Sequence, residues 1–199
     1  MLGAAIAAWI TDQVYGIASI GDNASDPTDV FSGFDRFVNV NEYLTSLEIG
    51  WTTAKDRAYF DNVHVTVWHS DQKSEVGDPS GWGAVFSATQ FVADKVMPFI
   101  RGGYAEDGGT LLQKSLSLGA GYQAIPGRDL LALAFNWGQP NEATWGSGLA
   151  DQYTIEAFWR WQLGEQLAIT PDLQWIIDPA LNPDEDSIWI FGLRARLSL

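Results

Sequence analysis

Hydrophobic and polar residues alternate along the last quarter of the chain, from Gln152 to Leu199. In the first run the even positions are mostly polar and the odd ones apolar, namely Tyr153, Ile155, Ala157, Trp159, Trp161 and Leu163. The alternation resumes through 167–178 and through 189–199. A two-residue period indicates strands whose two faces meet different surroundings. The runs are about twice the usual 5 or 6 residues of a strand and match the roughly 9 to 11 of a tilted membrane-spanning strand. The tail therefore predicts an antiparallel transmembrane β-barrel.

The same alternation, followed from the start of the chain, predicts about eleven strands in all. The eight before the tail are expected at Ala4–Ile10, Gln13–Asp22, Tyr43–Thr52, Ala58–His69, Gly81–Val92, Val96–Glu106, Leu111–Ala124 and Leu130–Gly138. Short turns and long polar loops alternate between them, as in outer-membrane barrels with short periplasmic turns and longer extracellular loops. We also expect a local bulge at Pro98 and at Pro171, because proline lacks the N–H that a strand donates.

A short amphipathic helix is predicted within the first long loop, residues 23–41. Asp26 can cap this helix, with Pro27 at its first position and Asp29 in its first turn. On a helical period the apolar side chains share one face, which contains Val30, Phe31, Phe34 and Phe37.

The rhythm of the connections orients the predicted barrel, since the last strand should descend to the periplasm. Two aromatic bands then appear, as expected where strands cross the membrane interfaces. The outer band contains Trp82, Tyr104, Trp137, Tyr153, Trp175 and Trp189, and the inner band contains Trp51, Tyr122 and Trp161. An odd number of strands places the start of the first one outside. We therefore expect residues 1–199 to be a single porin-type barrel domain that is incomplete at its N-terminal side.

The alternation also assigns individual residues to lipid or to water. The lipid-facing residues are expected to include Leu133, Phe135, Trp159, Leu173 and Leu197. The water-facing residues are expected to include Ser117, Asn136, Gln162 and Gln174.

Composition and charge narrow the function classes. The chain has 10 Trp, which suits two interfacial bands. Its 25 acidic and 11 basic residues give a net charge of −14, which excludes nucleic acid as a partner because phosphates require a basic face. The absence of Cys excludes a disulfide framework. No apolar run approaches the roughly 18 residues of a membrane helix, and Leu2 to Ile10 lacks the basic region of a signal peptide.

Several segments resemble the carbohydrate-selective porins of the OprB type. The resemblance is carried by AFWRWQL, LAITPDLQWIIDPALNP and DSIWIFGLRARLSL near the C-terminus, and by QVYGIASIGDNASDP, GWGAVFSATQ and MPFIRGGYAEDGG upstream. It implies a sixteen-stranded outer-membrane barrel that admits sugars passively, of which roughly five strands and the main constriction loop would precede Met1. One departure is Leu199, where such barrels commonly end in an aromatic residue.

The polar face of the strands carries the candidate pore lining. The charged candidates are Glu48, Arg101, Glu156, Arg160, Asp172, Arg194 and Arg196, with the aromatic residues Trp68 and Phe158 among them. Guanidinium groups and carboxylates exchange hydrogen bonds with sugar hydroxyls, and an aromatic ring covers the apolar C–H face of a pyranose. Arg160 with Glu156 and Asp172 forms the strongest group, so we expect Arg160→Ala to weaken sugar binding. The alternative role for each charge is pairing across the wall.

This prediction names mono- or oligosaccharides as partners and a bacterial outer membrane as the location. Outer-membrane lipid and lipopolysaccharide would surround the barrel. Copies of the barrel could also associate as a homo-oligomer. No cofactor or metal is expected. His64 and His69 lie on opposite faces of one strand, and the acidic run Asp184 to Asp186 lacks the ligand spacing of a calcium loop.

Two other functions fit parts of the sequence. Glu156 and Asp172 share a face, as the acid and base of a glycosidase would. Polar residues are nevertheless the rule inside a water-filled barrel, so no enzyme is predicted. A soluble or surface β-sandwich that binds carbohydrate would use the Trp faces as its core, and it stays the main alternative.

Overall fold

The computed structural model describes residues 2–23, 28–29, 31–125 and 128–198. All its strands form one antiparallel sheet in which each strand pairs with its neighbours in sequence. The eleven strands are β1 (Gly3–Trp9), β2 (Val14–Asp22), β3 (Tyr43–Thr52), β4 (Asn62–Ser70), β5 (Gly81–Thr89), β6 (Val96–Asp107), β7 (Leu112–Tyr122), β8 (Asp129–Pro140), β9 (Gln152–Gln162), β10 (Leu167–Ile177) and β11 (Ser187–Leu197). The predicted all-β antiparallel architecture is confirmed.

The sheet is open. Among the described residues, β1 pairs only with β2 and β11 only with β10, so these two strands form the edges. Phe191 and Leu193 on the edge strand β11 are 80% and 78% exposed, as befits side chains with a neighbouring strand on one side only. The described residues thus form an open eleven-stranded wall and not a closed barrel.

The register divides the wall into an apolar face and a polar face. Directly paired residues in an antiparallel sheet project to the same side. Leu173 pairs with Ala157 and Phe191, whereas its neighbour Gln174 pairs with Glu156 and Ile190. The faces assigned from the sequence agree with this register. Leu133, Phe135, Trp159, Leu173 and Leu197 lie on the apolar face, and Ser117, Asn136, Gln162 and Gln174 lie on the polar face.

The apolar face has no second layer packed on it. Ala105 and Ala168 are the only buried hydrophobic residues in the described part of the chain, while five Trp residues of the apolar face are exposed, namely Trp51, Trp82, Trp159, Trp161 and Trp189. A soluble sandwich buries the inner faces of two sheets against each other. An exposed apolar face of this extent does not fit the sandwich alternative.

The two ends of the wall differ. One end, the long-loop end, carries the connections 23–42, 71–80, 108–111, 141–151 and 178–186; the other, the short-turn end, carries 10–13, 53–61, 90–95, 123–128 and 163–166. The predicted outer aromatic band lies at the long-loop end of the apolar face, where Trp82 contacts Tyr104 and Trp175 stacks on Trp189 at 5.2 Å between ring centroids. The inner band lies at the short-turn end, because Trp51, Tyr122 and Trp161 are each at or next to the last residue of their strands.

The first loop contains the predicted helix, which begins later than expected. Helix α1 covers Ser32–Asn39, and the predicted cap Asp26, with Pro27 and Val30, lies outside the described residues. Phe37 packs on Tyr43 at 5.0 Å, but Phe34 is 59% exposed, so the predicted apolar face is only partly covered. A second helix, α2 (Glu142–Trp145), was not predicted; the Asn141 side chain caps it by accepting a hydrogen bond from the Ala143 N–H. No helix in the described ranges is long and apolar enough to cross a membrane.

Two local predictions were wrong. The strand expected from Ala58 begins at Asn62, because a 3-10 helix, Lys55–Arg57, lengthens the turn before it. Pro98 and Pro171 produce no bulge: Pro98 pairs with Ala120 in an unshifted register. At Pro171 the β9–β10 pairing is interrupted, yet the same register resumes beyond it. The register shift lies instead between Leu112 and Lys114.

A buried carboxylate joins two turns at the short-turn end. Asp61 accepts hydrogen bonds from Arg57 Nε at 2.5 Å, Thr53 Oγ1 at 2.8 Å and the Phe91 N–H at 2.8 Å. Arg57 and Thr53 belong to the turn before β4, and Phe91 to the turn after β5. These donors, Arg57 above all, lower the pKa of Asp61 to about 2.

We expect Asp61→Asn to lower the free energy that stabilises this junction by about 1–2 kcal/mol, because the amide replaces a charged acceptor of three hydrogen bonds. The pKa of Asp61 is depressed on folding, so its contribution is complete above about pH 4 and is lost as the pH falls towards 2. Hydrogen exchange of the Phe91 amide should be faster in the variant at pH 5, and the difference from the parent should shrink as the pH falls towards 2. Asp56→Asn, an exposed change in the same turn, is the control, and an equal effect of both variants at pH 5 would contradict the assignment.

Candidate functional site

The polar face extends across β2–β11, and every predicted pore-lining residue lies on it. The register places there Glu48, Trp68, Arg101, Glu156, Arg160, Asp172 and Arg194. They fall into two regions. Glu48, Trp68 and Arg101 belong to strands β3, β4 and β6, and the other four belong to β9–β11.

The first cavity, which we call the tryptophan cavity, lies near the long-loop end of β2–β4. It has a volume of about 530 Å³ and contains the Trp68 indole. Its hydrogen-bonding side chains are Ser19, Asn23, Ser46, Thr66, Ser70, Lys73 and Thr110. Trp68 can lie against the wall because it faces Gly83 on β5; a Cβ at that position would come within 2.5 Å of two indole carbons. The glycine thus makes room for a flat aromatic surface among hydroxyl groups.

Glu48 is held in place beside this cavity. One carboxylate oxygen accepts a hydrogen bond from Tyr15 OH at 3.1 Å and the other from Thr66 Oγ1 at 2.7 Å. The Tyr15 ring lies over Gly50, where a Cβ would clash with it. Glu48 is therefore an oriented acceptor on the wall. Arg101 lies further along the face, between Ser87 and Ser117, with its guanidinium 5.3 Å from the centroid of the Phe99 ring.

The second cavity, the carboxylate cavity, lies midway along β9–β11 and measures about 370 Å³. It brings together Glu156, Phe158, Asp172, Gln174 and Arg194. Gln174 Nε2 donates to Asp172 Oδ1 at 3.2 Å, and the Glu156 and Asp172 side chains lie within hydrogen-bonding reach of each other. The two carboxylates concentrate hydrogen-bond acceptors beside the Phe158 ring.

The third cavity, the arginine cavity, lies at the short-turn end of β8–β11 and measures about 630 Å³. It is lined by Arg128, Arg160 and Arg196. Phe158 pairs with Asp172 and Gln162 with Ala168, so Arg160 lies one row nearer the short turns than Asp172. The structure thus places Arg160 in a different cavity from Glu156 and Asp172. Arg128 was not among the predicted candidates because it precedes β8 in a turn and therefore has no place in the alternation of a strand. Its nearness to the strand ends that carry Arg160 and Arg196 could have identified it from the sequence.

A single-layered wall with an exposed apolar face, two aromatic bands and a polar face bearing cavities defines a porin-type β-sheet. The model of the family described as "Carbohydrate-selective porin, OprB family" matches residues 1–199, and the chain belongs to that family. The resemblance noted in the sequence is confirmed.

Comparison with individual proteins agrees with this assignment. The chain is similar to porin AaxA of Chlamydia pneumoniae, with 31% identity over 135 residues that cover 65% of this chain and 30% of the relative. It is 32% identical over 125 residues to porin AaxA of Chlamydia felis (strain Fe/C-56), covering 60% and 28% of the two chains. The matched part of the chain therefore spans less than a third of the length of these relatives.

The fold is shared with a solved porin. The structure of Pseudomonas putida OprB at high pH superposes with a TM-score of 0.77 and 12% identity, covering 98% of this chain and 58% of that one. At this identity the comparison shows a common fold, in which the open wall corresponds to part of a larger chain.

Proposed function

We propose that this chain forms the wall of a water-filled channel through which carbohydrates diffuse passively across a bacterial outer membrane. Unpaired strand edges are not tolerated in hydrocarbon, so further strands must pair with β1 and β11 and close the sheet into a barrel, of about sixteen strands by analogy with porins. The short-turn end would face the periplasm and the long-loop end the exterior. Lipid and lipopolysaccharide would surround the apolar face, through which copies of the barrel could also associate.

The tryptophan cavity is the observation that carries this proposal. A pyranose has an apolar C–H face and a rim of hydroxyls, and the cavity offers an indole surrounded by hydroxyl, amide and ammonium groups. Its volume suits a monosaccharide rather than an ion. The carboxylate cavity repeats the combination with Phe158 as the ring and Glu156, Asp172 and Arg194 as hydrogen-bonding groups. With two such cavities on one face, a sugar could replace its bound water by hydrogen bonds to the wall at one cavity and then at the next. Binding at each cavity would be weak enough to release the sugar.

The proposal assigns pore-lining roles to Glu48, Trp68, Arg101, Glu156, Arg160, Asp172 and Arg194. It assigns no enzymatic role to any of them, since passive diffusion requires binding and release without a chemical step.

Trp68→Ala should weaken sugar binding about tenfold, because it removes the aromatic surface of the tryptophan cavity. The measurement is the glucose concentration that half-blocks ion current through the complete channel in a planar bilayer. Trp82→Ala is the matched control, since Trp82 pairs with His69 next to Trp68 but lies on the apolar face. Unchanged glucose block in an assembled Trp68→Ala channel would remove the cavity from the sugar path, and a parent channel without saturable block would contradict the proposed function.

A further inference from the structure

Arginine residues are concentrated at the short-turn end of β8–β11. The strand register arranges four of them in two adjacent rows of the polar face. In the first row Ala168 pairs with Gln162 and with Arg196, while the Gln162 N–H donates to the Arg128 carbonyl at 2.9 Å. In the second row Arg160 pairs with Leu130, and Arg194 pairs with Thr170. Four of the 11 basic residues of a chain with net charge −14 thus share one corner of the wall.

Several basic residues elsewhere in the described part of the chain are neutralised by carboxylates. Arg36, Lys55, Arg57 and Lys73 each form an ion pair with a carboxylate. Within the described residues, none of the four arginines of this corner forms one. The Arg160 Nε atom is buried and has no hydrogen-bond partner among the described residues. A buried donor left without an acceptor costs free energy, and no carboxylate within ion-pair distance neutralises the guanidinium groups of this corner among the described residues.

The arginine cavity gathers this charge around a space of about 630 Å³. Besides Arg128, Arg160 and Arg196, its polar side chains include Gln162, Gln166 and Ser198, all able to donate hydrogen bonds. Glu165 is the single carboxylate among its lining residues, and it lies exposed in the turn between β9 and β10. Three guanidinium groups against one carboxylate leave the cavity suited to an anion.

We propose that the arginine cavity binds an oxyanion attached to a sugar, a carboxylate or a phosphate ester, so that the channel admits acidic sugars as well as neutral ones. Planar guanidinium groups donate two parallel hydrogen bonds to either oxyanion. The tryptophan and carboxylate cavities interact with the hydroxyl and C–H parts of the same solute. The inference rests on the proposed sugar channel and adds a substrate class to it.

The test compares four probes on the complete channel in planar bilayers: glucose, glucuronate, glucose 6-phosphate and inorganic phosphate. The variant is Arg128→Gln/Arg196→Gln, and Lys55→Gln/Lys95→Gln removes the same charge from short turns outside the cavity. We expect glucuronate and glucose 6-phosphate to block the parent at lower concentration than glucose. In the arginine variant the half-blocking concentrations of the two acidic sugars should rise about tenfold more than that of glucose. The lysine variant should behave like the parent.

Several outcomes are decisive. A loss confined to glucuronate or to glucose 6-phosphate supports the site and identifies the oxyanion. Equal losses in the arginine and lysine variants, or no preference of the parent for acidic sugars, would overturn it. If the double variant does not assemble, Arg128→Gln alone, in an exposed turn, should give about a threefold loss, and none would overturn the proposal. A parent channel that glucose does not block would refute the sugar channel, whereas arginine-dependent block by inorganic phosphate would still establish the anion site.

Discussion

Leu173→Arg is expected to prevent assembly of the channel, while Gln174→Arg at the next position is tolerated. Leu173 lies at the middle of β10 on the apolar face, between Ala157 and Phe191. An arginine at the bilayer midplane on the lipid face of a barrel costs about 2–4 kcal/mol. Gln174 lies between Glu156 and Ile190 on the polar face, where a guanidinium would meet water and a carboxylate.

The two variants are compared by heat modifiability, which separates folded from unfolded barrels on a gel. Leu173→Ala controls for loss of the leucine side chain without added charge, and it should assemble. Equal sensitivity of positions 173 and 174 to arginine would mean that the two faces of β10 do not meet different solvents. That result would contradict the assignment of the apolar face to lipid.

The sequence predicted the faces of the strands better than their ends. Alternation fixes which side a residue takes as soon as its strand is recognised, so Leu173 and Gln174 were assigned correctly. The start of β4 was misplaced because Tyr59 and Phe60 continue the apolar composition of a strand, although Lys55–Arg57 folds into a 3-10 helix. Helix α2 was missed because four residues are too few to show the 3.6-residue period of hydrophobic positions that identifies a helix. It depends on the Asn141 cap and on the Trp145 indole, which donates to the Leu111 carbonyl at 3.0 Å.

The sequence predicted that the candidate residues lie on the polar face, but not how they group into cavities. Each candidate was assigned to that face from its place in the alternation of its own strand. Which candidates share a row depends on the register between strands, and turn geometry sets that register. For this reason Arg160 was grouped with Glu156 and Asp172, whereas the structure places it beside Arg128 and Arg196. The serine and threonine hydroxyls around Trp68 were missed for the same reason, since Ser19 and Ser46 lie on neighbouring strands.

Thiol labelling is expected to separate neighbouring positions almost completely, because the chain has no Cys and each single substitution supplies its only thiol. Gln174→Cys and Asn136→Cys place thiols on the polar face of β10 and β8, and Leu173→Cys and Phe135→Cys place them on the apolar face. A charged thiol reagent that does not enter membranes needs both water and a thiolate. The polar-face thiols should therefore react, and those on the apolar face should not.

The most direct test is to record ion current through the complete channel while that reagent is added. It shows whether the polar face of the sheet lines the pore. We expect a lasting fall in conductance for Gln174→Cys and Asn136→Cys, with no change for Leu173→Cys, Phe135→Cys or the unsubstituted protein. Conductance that is unaffected at both polar positions despite complete labelling, or that falls equally at all four, would contradict this expectation.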